Sequence, residues 1–121
     1  PHAYRSIAVP GFPNLFMLMG PHSPIGNQSL VLIAENQADY AMWWINKIRN
    51  GDIIAASPTD TATKDYNEQM KSALRQTIWM TGCKSWYLGK DGLPELFPWR
   101  PARHRELLAT PDISHFDVRT A

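Results

Sequence analysis

Between Ser29 and Asn50, apolar residues recur at Leu30, Ile33, Ala34, Ala41, Trp44, Ile45 and Ile48. That spacing is close to the 3.6-residue period of a helix with one buried stripe. Asn27 or Ser29 can cap its start. Lys47 and Arg49 fall in the last turn, where the helix dipole favours cations, and Gly51 is placed to end it in the left-handed region. The rest of a 121-residue chain, a length that fits one domain, has to pack along this helix.

A second helix is expected from Ser57 to about Met80. Ser57 serves as cap, Pro58 as first helical residue and Asp60 as capping-box acid. Ala62, Tyr66, Met70, Ala73 and Thr77 lie near one face of it. Leu15 to Met19 is a short apolar run between turn signals and reads as a strand buried on both faces, ended by Gly20-Pro21. Asp52 to Ala56 reads as a second short strand or an extended link. Ser85–Leu88 and Glu95–Phe97 can form the arms of a hairpin-like region around Lys90-Asp91-Gly92. Residues 101–109 suit a short helix after Pro101, and the tail from Thr110 is expected to be weakly ordered. The fold class is therefore mixed α/β.

The charge balance narrows the function. A formal net charge of +1 gives no field of the kind that captures nucleic acid. A single cysteine rules out an internal disulfide framework and fits a reducing, cytoplasmic location. No apolar run approaches the length of a membrane span. The four histidines are scattered without ligand spacing, so no metal site is expected. The chain starts at Pro1-His2 without methionine, which suggests a truncated or processed chain.

Two segments carry a family likeness. They are Phe12-Pro13-Asn14, leading through the apolar run to Gly20-Pro21-His22-Ser23-Pro24, and Gly82-Cys83-Lys84-Ser85-Trp86-Tyr87-Leu88-Gly89. With Glu35 and Gln37 between them, their order and spacing resemble the C-terminal part of the class B flavoprotein monooxygenases, of the Baeyer–Villiger and flavin-containing type. The likeness covers roughly Tyr4 to Trp99. It implies that residues 1–56 end a doubly wound FAD-binding domain. Residues 57–121 would then hold the second helix, a tryptophan-containing control loop and the tail. The parent would use FAD and NADPH to insert or transfer one oxygen atom from O2 through a C4a-peroxyflavin, onto a ketone or a heteroatom.

The resemblance also nominates cofactor-binding residues. Gly20 and Pro21 would shape the turn that approaches the flavin, with Ser23 and Asn27 as polar contacts. A helix N-terminus there would face the flavin pyrimidine edge, where reduced flavin is negative. An ordinary strand-to-helix turn explains the same glycine and proline equally well. Trp86 would cover the nicotinamide cofactor from a closing loop; packing of Trp86 and Tyr87 against the second helix is the competing reading. His22 reads as a solvent-exposed loop residue, with polarisation of a flavin carbonyl or contact with substrate as the alternative, and Cys83 as a small buried hydrophobe. Arg100, Arg103 and Arg105 with His104 form a small basic cluster that reads first as a solvated helix face, with contact to the phosphate of a nicotinamide cofactor as the alternative.

The seven glycines include no Gly-x-Gly pair, so the dinucleotide fingerprint lies outside this chain, and no catalytic residue is assigned. The chain alone is expected to be inactive and to self-associate through faces that lack neighbours. A stand-alone, non-catalytic interaction or oligomerisation domain derived from the same family is the alternative.

Overall fold

The computed structural model describes residues 2–24, 29–76 and 96–120. Among these residues three helices pack with a two-stranded antiparallel sheet, in the order α1 (Leu30–Arg49), β1 (Ala55–Pro58), α2 (Asp60–Arg75), α3 (Pro101–Ala109), a 3-10 turn (Ile113–His115) and β2 (Phe116–Arg119). The mixed α/β class follows the sequence expectation.

Helix α1 begins and ends where its caps dictate. The Ser29 hydroxyl accepts from the Val31 N–H, and Ser29 itself is extended. At the other end Gly51 takes φ +82°. Its N–H donates to the Ile48 carbonyl at 3.1 Å, and the Asp52 N–H to the Lys47 carbonyl at 3.0 Å. This paired geometry is the Schellman stop, which satisfies carbonyls the helix would otherwise leave open. Helix α3 starts at Pro101, whose missing N–H costs nothing in a first turn.

The main core gathers Tyr4, Ile7 and Ala8 from the N-terminal segment, Tyr40 and Trp44 from α1, Leu108 from α3 and Phe116 from β2. Trp44 and Phe116 stack with ring centroids 4.5 Å apart, and Tyr4 meets Phe116 edge-on at 5.3 Å. A second cluster seats Ile33 against Phe97, with Met19, Trp99 and Leu107 around it.

Several expectations change. Residues 15–19 form no strand: Asn14 and Met19 both take positive φ, and Leu15 and Leu18 are exposed. The run makes one ladder-like bond, Met17 N–H to the Ile7 carbonyl at 2.8 Å, and two left-handed residues at its ends prevent a pleat from extending. Helix α2 starts later than the proline signal suggests. Ser57 and Pro58 belong to β1, where they pair with Asp117 and Phe116. The cap is Thr59, whose hydroxyl accepts from the Ala62 N–H at 3.1 Å. Pairing with a strand nearly sixty residues away overrode the local cap pattern. That strand is the tail, which is ordered by the same pairing. Helix α2 ends at Arg75 with Gln76 as its cap, short of the expected Met80; residues 77–95, with most of the expected hairpin, lie outside the described residues.

Asn14 gives one residue of the upstream motif a physical role. Its backbone N–H donates to the Ala56 carbonyl at 2.9 Å. Its side-chain carbonyl accepts from the Ala56 N–H at 3.0 Å, and its amide donates to the Ile54 carbonyl at 3.1 Å. One residue thus imitates a third strand along the outer edge of β1.

Candidate functional site

The segment Met19–Pro24 lies against the N-terminal half of α1, through Met19 packed near Ile33 and the hydrogen bonds of Gln37. Ser23 N–H donates to the Gly20 carbonyl at 3.2 Å, with Pro21 next and His22 at φ +63°. Proline second and a left-handed third residue define a type II turn. Gly20 is required by packing: a Cβ there would overlap the Ser6 carbonyl. The absence of a side chain thus serves close approach of backbone to backbone inside this chain.

Gln37 of α1 fixes the turn. Its Oε1 accepts from the Met19 N–H at 2.8 Å, and its Nε2 donates to the Ser23 hydroxyl at 2.9 Å. From the opposite side, the Phe97 N–H donates to the Pro24 carbonyl at 2.8 Å. The turn is held on two faces by groups distant in sequence, so its backbone is preorganised.

The nominated residues divide by place. Gly20, Pro21 and Ser23 come together in this turn. Ser23 has no exposed surface and spends its hydroxyl on Gln37, so its visible role is to hold the turn. His22, expected on the surface, is buried, because the type II turn aims its side chain inward. Asn27, Trp86 and Cys83 lie outside the described residues. His104, expected on a solvated face, is buried between α1 and α3. Phe97 lies edge-on to it at 5.2 Å, and its Nδ1 is 3.3 Å from the Asn36 amide nitrogen. Burial holds its pKa below the ordinary histidine value. Arg100, Arg103 and Arg105 do face solvent.

The N-terminal turn of α1 carries no acidic residue, and Leu30, Val31 and Leu32 are exposed there. Among the described residues no group of histidines, cysteines or carboxylates could hold a metal. None of their helices is long and apolar enough to cross a membrane.

The comparisons with known proteins decide the family. No family model matches the chain. An uncharacterized monooxygenase of Mycobacterium tuberculosis is 47% identical over 119 residues, covering 98% of this chain and 24% of the relative. An FAD-binding monooxygenase of Aspergillus terreus is 35% identical over 98% of this chain and 22% of its own length. A Baeyer–Villiger monooxygenase of Pseudomonas aeruginosa is 35% identical over 73% of this chain and 17% of its own length. The chain is related to the FAD-binding and Baeyer–Villiger monooxygenases. It spans about a quarter of the length of the mycobacterial relatives it matches. The fold agrees. A crystal structure of cyclohexanone monooxygenase from Rhodococcus sp. Phi1, bound to NADP+, superposes with a TM-score of 0.83 at 23% identity, over all of this chain and 24% of that one. The shared monooxygenase fold thus includes the turn, α1 and the sheet described above.

Sequence reasoning singled out Gln37 only as part of the family likeness; its buried position and both hydrogen bonds need the structure. It missed Tyr4, Arg5 and His115 as a group. Tyr4 and His115 stand 111 positions apart and no periodic pattern links them.

Proposed function

We propose that this chain is the part of an FAD- and NADPH-dependent monooxygenase that completes the flavin domain and supplies the cover of the active site. The whole enzyme would transfer one oxygen atom from O2 to a ketone or a heteroatom-bearing substrate. Residues 1–56 would close the FAD-binding domain, and residues 57–121 would carry α2, the Trp86 loop and the tail. FAD, once reduced by NADPH, supplies the oxygen activation.

This chain's own contribution is positional. The backbone of Gly20 and Pro21 and the start of α1 would lie against the flavin pyrimidine edge, with Asn27 as a polar contact. Ser23 and Gln37 would keep that turn in place, and Trp86 would close over the nicotinamide cofactor and exclude water. A cytoplasmic location fits cofactors of this kind. The observation that carries the reading is the turn held between Phe97 and Gln37 of α1, a helix whose first turn carries no acidic residue.

The test is the longer protein that contains this segment. Purified, it should hold FAD and consume NADPH and O2 faster when a ketone is added, with an ester or lactone as product. The 121-residue chain alone should retain no FAD, since it lacks a glycine-rich pyrophosphate cradle. A longer protein that binds no flavin overturns the proposal.

A further inference from the structure

A cavity of about 480 Å3 opens between the N-terminal segment, α2, α3 and the turn before β2. That volume falls within the range of about 300–1,000 Å3 usual for small-molecule sites. None of its lining residues belongs to the Gly20–Pro24 turn, so it stands apart from the flavin reading.

Two guanidiniums, Arg5 and Arg103, line this cavity against a single lining carboxylate, Asp65. Among the described residues neither arginine forms an ion pair. Arg5 is held in place by an unusual backbone: Arg5 and Ser6 take φ of +47° and +65° in succession. Left-handed backbone is disfavoured for such residues and persists where the surroundings enforce it. The Arg5 Nη1 donates to the Leu107 carbonyl at 2.6 Å, and the guanidinium lies 5.0 Å from the Tyr4 ring centroid. One donor is spent and the rest of the fork is available. Arg103 lies over Trp99 at 5.9 Å. The charges of both arginines reach the Tyr66 phenol, which lines the same cavity.

A polar chain completes the wall. The Asp112 carboxylate is 3.4 Å from His115 Nε2, and His115 Nδ1 is 2.8 Å from the Tyr4 hydroxyl. With the carboxylate favouring a proton on Nε2, Nδ1 accepts and Tyr4 donates.

We infer that this cavity binds a small oxyanion, a phosphate or a carboxylate group, through the N–H donors of Arg5 and Arg103. Planar guanidiniums match both oxyanions through paired N–H donors. Asp65 lines the cavity and Asp112 stands behind His115, so the selection of an anion rests on the paired N–H donors of the two guanidiniums and not on net charge.

The experiment is calorimetric titration of the 121-residue chain with inorganic phosphate and with acetate, using chloride at matched ionic strength as control. The His115 ring NMR signal is followed in parallel. Saturable one-to-one binding of phosphate or acetate, with a His115 shift that chloride does not produce, is expected. The tighter of the two anions names the ligand chemistry. Arg103→Gln, on an exposed position of α3, should weaken binding at least tenfold with an unchanged melting temperature. Asp65→Asn should tighten it at least twofold. Heats and shifts that follow ionic strength alone, or unchanged affinity in both variants, overturn the inference.

Discussion

Gln37 donates its side-chain N–H to the Ser23 hydroxyl at 2.9 Å, and neither residue has surface left for solvent. The same amide accepts from the Met19 N–H at 2.8 Å. One side chain therefore holds both ends of the turn. Gln37→Leu keeps the volume and removes both bonds, leaving the Met19 N–H without this acceptor. Stranding buried polar groups costs about 1–3 kcal/mol each, so a loss of about 2–3 kcal/mol is expected. For a chain of this size that lowers the thermal midpoint by roughly 8–12 °C. A variant melting within about 2 °C of the parent would show that the turn stands without the clamp.

Gly20→Ala should destabilise the chain by about 1–3 kcal/mol, the range for overpacking a filled site. The added methyl would run into the Ser6 carbonyl, which is backbone and cannot rotate away. Urea unfolding measures the loss. Because Ser6 adjoins Arg5, the variant should also disturb the tyrosine environment around Tyr4, visible in near-ultraviolet circular dichroism. An unchanged urea midpoint and spectrum would defeat the packing account.

The contrast between α1 and the upstream apolar run shows where sequence carries the fold. Helix α1 is written locally: Ser29, the apolar stripe and Gly51 all act within a few residues, and the helix follows them. Leu15 to Met19 looks like a strand because apolar runs usually are. Its fate depends on whether a neighbour strand exists, and no local residue states that. Thr59 displaces Ser57 as the α2 cap for the same reason, since β2 claims Ser57 and Pro58 from across the chain. In the site, Gly20-Pro21 was legible as a turn. The inward side chain of His22 and the clamp by Gln37 depend on three-dimensional packing alone.

Stability should fall on acidification through His104. Burial holds its folded pKa below the ordinary value of about 6.5 that the unfolded chain keeps. The unfolded state therefore binds more protons between the two values, and stability rises with pH across that window. The stabilisation is complete above about pH 6.5 and is lost as pH falls through the folded value. Urea midpoints at pH 7.5 and 5.0 measure it. His104→Met, which keeps an apolar body against Phe97, should lose less stability over that interval than the parent. Equal losses in both proteins would assign the acid sensitivity to other groups.

In the longer enzyme, Trp86→Ala should impair turnover more than folding. This expectation follows from the proposed place of Trp86 over the nicotinamide cofactor. Losing an indole face and its donor costs roughly 1–3 kcal/mol, by analogy with truncated binding hot spots. Weaker NADPH use and a higher yield of hydrogen peroxide per NADPH are the expected signs of a wetter site. A melting temperature that drops sharply while oxygen transfer stays coupled would place Trp86 in the core instead.

The isolated chain should self-associate, and the outer face of α1 names the surface. Val31, Met42 and Ile45 are 65%, 45% and 43% exposed. At 100° per residue they fall within about 60° of one another, with Ala38 between them. Such a stripe on a solvent face is what the remainder of a longer chain would cover, and the relatives are about four times as long. Left open, it gains about 25 cal/mol for each Å2 it buries against a second copy. Sedimentation at low micromolar concentration should find dimers or larger species. Met42→Lys with Ile45→Glu should return the chain to monomer while leaving α1 helical, because neither residue reaches the buried face of the helix. A parent chain that sediments as monomer would show that the stripe is tolerated in water. Association that survives the double variant would move the contact elsewhere, with the exposed Phe12, Leu15 and Leu18 the next surface to charge.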